Sequence, residues 1–245
     1  MKIVFRCAPS LIDVLPRPVP AKAMLPDWLR QMAARAPSEL HQRSIRTVKQ
    51  CPPFVDAMSH GFMLLLPCDV RVAQQRFSWD WALPPLQEGS HTELHGHPRS
   101  PLSFHVAEQL AGSPFARSSP AHGAQAALKF NSFWTVELEP GWSLMATHPI
   151  NRPDLPFRLL TGLVEADSFN AVGINFPAVW SDPDFNGLLP RGTPIAQCFP
   201  VPRQTTELVC EPMTDAHLES YDALASRIMA GPGVYRKGFR NKRGA

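Results

Sequence analysis

Proline is the residue that most restricts how this chain can fold. The sequence contains 27 prolines in 245 residues, about twice the usual share of roughly 5%. They are spread along the chain without a period, so neither a collagen-like repeat nor a single proline-rich linker explains them. Because proline ends helices and is confined in sheets to edges, strand starts and bulges, we expect short strands joined by stiff loops.

Composition and charge exclude several classes of protein. A hydrophobic content of 44% with 18% charged residues is typical of a soluble globular chain. The net charge of +3 is too small to indicate nucleic-acid binding, and no apolar run reaches the roughly 20 residues of a membrane span. The five cysteines form no CxxC motif, and the apolar stretch at the start is too short for a signal peptide. We therefore expect a cytoplasmic protein with free thiols.

Alternating apolar and polar residues predict strands through much of the chain. In "FMLLLPCDVRVAQQ", Val70 and Val72 point one way and Asp69, Arg71 and Ala73 the other, as in a half-buried strand. Similar patterns run from residue 127 to about residue 202. The sequence predicts a mainly β fold: a β-sandwich, jelly-roll or β-clip-like core with a few peripheral helices.

A few helices are also predicted, with one main domain. Short helices are expected after Pro26 and before Gly61, a helical turn or two in "SFHVAEQLAG" with Ser103 as its N-cap, and the longest helix near residues 215–229 after a cap at Thr214. We expect one β-rich domain at residues 1–233, with a proline-rich N-terminal wrap. Residues 234–245 are expected to form a flexible basic tail, which solubilises the chain or contacts an anionic partner.

A histidine-rich segment, "HTELHGHPRSPLSFHVAEQ", suggests a metal site. Its His97, His105 and Glu108, with His148 from the strand "SLMATH", offer imidazole and carboxylate ligands suited to Fe(II). The first functional hypothesis is therefore an iron-dependent oxidoreductase that acts on a small molecule. The alternative is that the histidines lie in a solvated loop.

The stretch "HPINRPDLPF" concentrates polar groups between prolines. Three fixed φ angles would present Asn151, Arg152 and Asp154 rigidly to a substrate carboxylate or phosphate. The alternative is that Arg152 and Asp154 pair with each other and shape the connection between two strands.

Two further patterns supply candidate site residues. In "GLVEAD", Glu165 and Asp167 lie two residues apart on one side of a strand, as a possible catalytic carboxylate pair or as exposed charges at a strand end. Trp134 is expected either in the core or in the wall of a substrate pocket.

The chain resembles an uncharacterised family found in proteobacteria and some tailed phages. The resemblance extends to about Arg203, with no established activity that it would imply. It rests on the blocks "VLPRPVPAKAMLPDWL", "TVKQCPPFVDAM", "GFMLLLPCDV", "KFNSFWTVELEPGWSL", "GLVEAD", "INFPAVW" and "RGTPIAQCFPVPR".

A more local resemblance concerns "GLVEADSF" and "GTPIAQ", which are similar to the last core strands of the dUTPase-like β-clip fold. This resemblance implies a catalytic acidic residue at Glu165 and a substrate-stacking ring at Phe169, with Gly162, Gly192 and Gln197 at matching positions. The chain has no counterpart of that family's phosphate-binding serine motif, and its last residues differ from the family's glycine-rich arm.

Two other functional hypotheses accompany the oxidoreductase. One is a metal-free β-clip protein that binds or hydrolyses a nucleotide, with Glu165 as base and Phe169 as stacking platform. The other is a non-enzymatic, homo-oligomeric binding or assembly module, which occurrence in phages would permit.

Overall fold

The structure is a computed structural model that describes residues 1–80, 100–106, 110, 112, 113, 115 and 125–240, with only the backbone described at 104–106 and 125–127. The chain divides into two compact units. The first consists of Met1–Met32 and Ala57–Arg203, and the second of Ala33–Asp56 and Gln204–Ala245. The division predicted between residues 233 and 234 stays a prediction, and His97, Glu108 and residues 241–245 lie outside the described residues.

Short strands dominate the described residues, as the proline content predicts. Numbered in chain order, they are β1 (Val4–Arg6), β2 (Val19–Pro20), β3 (Arg35–Ser38), β4 (Arg43–Arg46), β5 (Phe62–Leu65), β6 (Val70–Ala73), β7 (Arg76–Trp79), β8 (Leu102–Val106), β9 (Gln125–Asn131), β10 (Thr135–Glu137), β11 (Trp142–Thr147), β12 (Phe157–Leu159), β13 (Gly162–Val164), β14 (Asn175–Trp180), β15 (Gly187–Leu189) and β16 (Pro194–Pro202).

Helices are few and mostly short. In the described part of the chain they are α1 (Asp27–Gln31), α2 (Pro52–Ser59), α3 (Asp215–Ala230) and α4 (Val234–Gly238), with short 3-10 helices at Pro9–Leu11, Ala21–Met24 and Val48–Gln50. The prediction of a mainly β fold with a few helices is confirmed.

The first unit is built from antiparallel sheets. A five-stranded sheet has the order β13-β11-β16-β5-β2 and a four-stranded sheet the order β12-β14-β9-β8. A three-stranded sheet, β15-β6-β7, and the pair β1-β10 complete it. All the recorded pairings in these sheets are antiparallel.

One buried cluster joins these sheets. Leu144 and Cys198 come from the five-stranded sheet, Phe130 and Phe157 from the four-stranded sheet, and Val70 from the three-stranded sheet. The rings of Phe130 and Phe157 lie 4.5 Å apart between centroids. Since the sheets share one apolar core, burial of that core is the main force that holds the first unit together.

Several local predictions are confirmed. Val70 and Val72 are buried, whereas Asp69, Arg71 and Ala73 are exposed, so the period of two in the sequence identified the inner face of β6.

The ends of two helices also match their sequence signals. Gly61 follows α2 with φ +73°, as its position predicts. Thr214 caps α3, accepting a hydrogen bond from the His217 backbone N–H at 3.4 Å, and the His217 side chain bonds back to the Thr214 N–H at 3.3 Å. The longest described helix lies where it was expected.

The predicted helical turn at Ser103 is wrong. Residues 102–106 form β8, which pairs with β9 so that Leu102 faces Phe130. The Ser103 hydroxyl bonds to Asn131 Oδ1 at 3.0 Å rather than capping a helix. A long-range strand pairing outweighs the local pattern here, because propensity is a weak prior against tertiary contacts.

The second unit contains the β3-β4 hairpin, with Arg35 opposite Arg46, and helices α3 and α4. Arg240 follows α4 and donates to the Asp56 carboxylate from Nε at 3.1 Å and from Nη2 at 2.6 Å. Part of the expected tail is therefore helical and ion-paired.

The cysteines and the helices bear on two further expectations. All five cysteines are free, with Cys68 and Cys198 buried and Cys51 and Cys210 exposed. Within the described part of the chain, no helix combines the length and the apolar character needed to cross a bilayer.

Candidate functional site

The loop between β11 and β12 is held by its own histidine. The Leu159 backbone N–H donates to His148 Nδ1 at 3.4 Å, and His148 Nε2 lies 3.1 Å from the Arg152 carbonyl oxygen. Because Nδ1 accepts, Nε2 carries the proton and donates, which defines one neutral tautomer. Burial lowers the pKa of His148, in agreement with a neutral ring. Both ring nitrogens thus bond to backbone.

This arrangement bears on the predicted iron site. Within the residues that the structure describes, no three His, Cys, Asp or Glu side chains form a group that could hold a metal ion. His97 and Glu108 lie outside those residues, and for His105 only the backbone, on β8, is described. His148 uses the lone pair of Nδ1 to accept a backbone bond. Iron ligation by these four residues stays a prediction.

Arg152 and Asp154 bond to each other in the same loop. Arg152 Nε donates to both carboxylate oxygens at 2.9 and 3.0 Å, and Nη2 donates to Oδ2 at 2.7 Å. The Arg152 side chain is only 11% exposed, and its Nη1 donates to the Met24 carbonyl at 3.5 Å. Although burial raises it, the pKa of Asp154 is held below its ordinary value by Arg152. This is the pairing that the sequence allowed as the alternative to substrate binding.

Asn151 shapes the turn of this loop. Its φ of 56° is left-handed, a conformation that asparagine tolerates better than most residues. Next to it, the Ile150 N–H donates to Gln197 Oε1 at 2.9 Å. The substrate-binding role predicted for Asn151, Arg152 and Asp154 stays a prediction, since Arg152 and Asp154 bond to each other and Arg152 also bonds to the Met24 carbonyl.

Asp167 holds the ends of two neighbouring strands. Arg203, just after β16, donates from Nη1 to Asp167 Oδ1 at 2.8 Å and pairs through Nη2 with Oδ2. The Gly141 N–H, just before β11, donates to Oδ2 at 2.9 Å. The hydrogen bonds from Arg203 and then Gly141 hold the pKa of Asp167 well below its ordinary value. A catalytic role for Asp167 stays a prediction, and it would require these bonds to break.

Glu165 and Phe169 stand on a tight loop after β13, residues 165–170, which we call the Glu165 loop. The backbone N–H groups of Ser168 and Phe169 donate to the Glu165 carbonyl oxygen at 3.1 and 2.7 Å. Ala166 is fully buried and anchors the loop, whereas Glu165 is exposed and the Phe169 ring is 55% exposed. The Glu165 carboxylate makes no hydrogen bond to the described residues. The loop therefore presents one carboxylate and one ring to solvent.

A pocket of about 390 Å³ begins where this loop ends. We call it the Arg6 pocket; its lining residues are Arg6, Cys7, Ala8, Ser132, Phe133, Thr135, Asn170, Ala171 and Gly173. Two of the lining segments, 132–135 and 170–173, approach each other closely. A Cβ added to Gly173 would lie 2.0 Å from the Ser132 carbonyl oxygen. All of these residues belong to the first unit.

The polar groups of the pocket differ in whether they have a hydrogen-bond or ion-pair partner. Thr135 Oγ1 is buried and makes no hydrogen bond within the described residues, although buried polar groups normally have a partner. Arg6 pairs through Nη1 with Glu137, and both side chains are well exposed. Burial raises the pKa of the Cys7 thiol, which disfavours a thiolate nucleophile there. The pocket thus presents the Arg6 cation, while the unpaired Thr135 hydroxyl is buried in its wall.

Trp134 packs inside the first unit. Its ring is 8% exposed and clusters with Leu11 and Leu15 from the N-terminal wrap, and its indole N–H donates to the Pro16 carbonyl at 3.0 Å. Its neighbour Phe133 lines the Arg6 pocket instead. A substrate contact for Trp134 stays a prediction.

The sequence predicts Glu165 and Phe169 as site residues, Phe169 from the β-clip resemblance alone, but it does not predict the Arg6 pocket. The pocket brings together residues 6–8, 132–135 and 170–173, and no motif links these segments. The only feature of the sequence that points to the pocket is that Asn170, one of its lining residues, directly follows Phe169. Such a site is found only once the strands have paired.

Comparisons with known proteins extend this description. No family model and no curated protein matches the chain. Among solved structures, the native dUTPase of EIAV is similar at 11% identity, covering 63% of this chain and 83% of that one, with a TM-score of 0.32.

Two phage enzymes are similar at the same level. A mutant dUTPase of Staphylococcus bacteriophage 80alpha with dUpNHpp shows 13% identity, covering 48% of this chain and 91% of that one, with a TM-score of 0.27. A mutant dUTPase from phage phi11 of S. aureus shows 12% identity, covering 46% and 98%, with a TM-score of 0.27. We transfer no residue role from these similarities.

Proposed function

We propose that the protein binds a nucleotide in the Arg6 pocket and hydrolyses one of its phosphate bonds, with Glu165 as general base and Phe169 as stacking platform. The observation that carries this proposal is the continuity between the exposed Glu165 loop and the pocket: the last residue of the loop, Asn170, lines the pocket and directly follows Phe169 in the chain. The pocket volume of about 390 Å³ lies within the range of small-molecule sites.

Glu165 is the carboxylate suited to proton transfer. A general base must reach the water that it activates. Glu165 is exposed, while Asp167, two residues on, is bonded to Arg203 and Gly141. The water oxygen would attack a phosphorus atom, Glu165 would take its proton, and the bond from phosphorus to the leaving phosphate oxygen would break.

Phe169 provides a surface for the base. Its ring is 55% exposed and its backbone is fixed by the bond to the Glu165 carbonyl oxygen, so little entropy is lost when a base stacks on it. Stacking of a nucleobase on an aromatic ring contributes about 1–3 kcal/mol.

The pocket supplies the polar contacts. Thr135 lines the pocket, and its buried hydroxyl oxygen has no partner among the described residues, so a shift of the pocket wall on binding would let a ligand group bond to it. The Arg6–Glu137 pair is exposed, and exposed pairs contribute little stability. Arg6 can therefore exchange Glu137 for a phosphate oxygen at small cost.

Calorimetry with the common ribo- and deoxyribonucleoside triphosphates tests binding. We expect Phe169→Ala to weaken binding of the preferred nucleotide about 5- to 150-fold. This range corresponds to the loss of about 1–3 kcal/mol of stacking free energy. The matched control is Phe239→Ala, which removes a ring of similar exposure (52%) in the second unit and should leave binding unchanged.

Thr135→Val gives an independent measure of the pocket. We expect binding to weaken about tenfold, while the melting temperature does not fall, because Thr135 Oγ1 makes no hydrogen bond to the residues that the structure describes. Absence of binding for every nucleotide at about 1 mM, or unchanged affinity in both variants, would refute the proposal.

Turnover is tested separately with Glu165→Gln. This variant should still bind nucleotide but release phosphate or pyrophosphate at least about 100-fold more slowly than wild type. Glu207→Gln, which changes an exposed glutamate of the second unit, is the control. Nucleotide binding without any hydrolysis by wild type would leave a binding module and refute the catalytic part.

A further inference from the structure

The C-terminal arm of the chain, residues 204–230, exposes an unusual amount of apolar surface. Every residue from 202 to 223 is exposed, and α3 contains no buried residue. The large exposed side chains of the arm are Leu208, Val209, Met213, Leu218, Tyr221, Ile228 and Met229.

Such an arm requires a partner surface. Ordering a residue costs about 1–2 kcal/mol of backbone entropy, and most helical stability in proteins comes from packing an apolar face. Against the residues that the structure describes, α3 packs little: Leu224 and Ala225 are half-buried and its other residues are exposed. The cap at Thr214 supports the first turn but does not replace packing.

We propose that α3 pairs antiparallel with α3 of a second copy of this chain, around a two-fold axis near residue 223. Leu218, Tyr221, Ala225 and Ile228 are spaced 3, 4 and 3 residues apart, the spacing of a coiled-coil seam. This spacing reads the same in both directions, as an antiparallel two-fold pairing requires.

Side-chain size fits this arrangement. In an antiparallel pair centred near residue 223, each Tyr221 faces the Ala225 of the other copy, and each Leu218 faces Ile228. In the two layers nearest the two-fold axis, a large Tyr221 ring therefore packs against a small Ala225. Such a fit of a side chain into a space on the facing helix is typical of coiled coils. A parallel pair would instead place two Tyr221 rings against each other and leave a gap between the two Ala225 residues.

Charge favours the same orientation. The first half of α3 carries Asp215, Glu219 and Asp222, while its last turn carries Arg227. In the antiparallel pair the helix dipoles oppose each other, and Asp215 and Glu219 of one helix lie far along the axis from those of the other. In a parallel pair the acidic halves would lie side by side.

Light scattering and sedimentation of the full chain over a range of concentrations test the proposal. We expect wild type to associate through α3. Leu218→Glu and Ile228→Glu should each halve the mass or raise the dissociation constant about 100-fold, since each change occurs twice in a symmetric pair. Ala223→Glu adds the same charge to the opposite face and should leave the mass unchanged. A monomeric wild type, or an equal effect of all three variants, would overturn the proposal.

An exchange of side chains tests the orientation. Ala225→Tyr alone should weaken association, because two rings then compete for one layer. Tyr221→Ala combined with Ala225→Tyr should restore it, because the ring and the small residue only change places. If the double variant associates no better than Ala225→Tyr alone, the antiparallel register is wrong.

Discussion

Gln197 is the buried polar residue whose replacement gives the clearest test of the first unit. Its side chain is fully buried. Nε2 donates to the Ala57 carbonyl at 2.9 Å and to the His60 carbonyl at 2.7 Å, and Oε1 accepts from the Ile150 N–H at 2.9 Å. One side chain thereby ties β16 to the end of α2 and to the loop after β11.

The effect of Gln197→Met can be worked out from these bonds. Three bonds at about 0.5–1.5 kcal/mol each are lost, while a side chain of similar volume remains. Ala57 and Ile150 are only half-buried and His60 is exposed, so water can reach some of the groups left behind. We therefore expect the free energy of unfolding to fall by about 2–4 kcal/mol.

Urea denaturation followed by tryptophan fluorescence measures this loss. Gln204→Met, at an exposed position, is the control and should change stability by less than about 0.5 kcal/mol. Gln197→Glu should destabilise strongly at neutral pH and recover partly in acid, because protonation restores one donor. A loss below about 1 kcal/mol for Gln197→Met would show that the three bonds contribute little and would refute this account.

Two further predictions concern the same unit. Asp167→Asn should lower the melting temperature at pH 7, because Asp167 has a lowered pKa beside Arg203; its charge stabilises the fold above the unfolded pKa, so the difference from wild type should shrink as the pH falls below about 4. A difference that stays constant with pH would argue against the pair. Gly61→Ala should cost more than about 2 kcal/mol, since φ is +73° and the new Cβ would lie 2.1 Å from the Cys198 carbonyl oxygen, whereas Gly162→Ala, with open space around it, should cost less than about 1 kcal/mol. Equal melting temperatures for the two variants would contradict this.

Much of the fold could be predicted because its signals are local. The alternation of Val70 and Val72 with polar neighbours, the glycine after α2 and the threonine before α3 each act within a few residues. A strand's inner face, a left-handed helix end and an N-cap are determined by side chains next to them in the chain. The excess of proline likewise limits the length of helices and strands, whatever tertiary contacts they make.

The candidate site depended on partners that no local pattern contains. Asp167 is bonded to Arg203, 36 residues away, so the spacing in "GLVEAD" could not distinguish it from the exposed Glu165. Ser103 lies in a strand because β9 pairs with it. The Arg6 pocket exists only after three distant segments have come together.

The sequence by itself determined that this protein is built from short strands and where several of them turn or end, whereas the site roles predicted for Glu165 and Phe169 stay predictions. The tertiary structure alone decided which polar groups are already bonded: Arg152 to Asp154, His148 to backbone on both sides, Asp167 to Arg203. Hydrogen bonds have short range and strict geometry, so whether a polar side chain remains available to a ligand depends on which distant backbone and side-chain groups folding brings within about 3 Å of it.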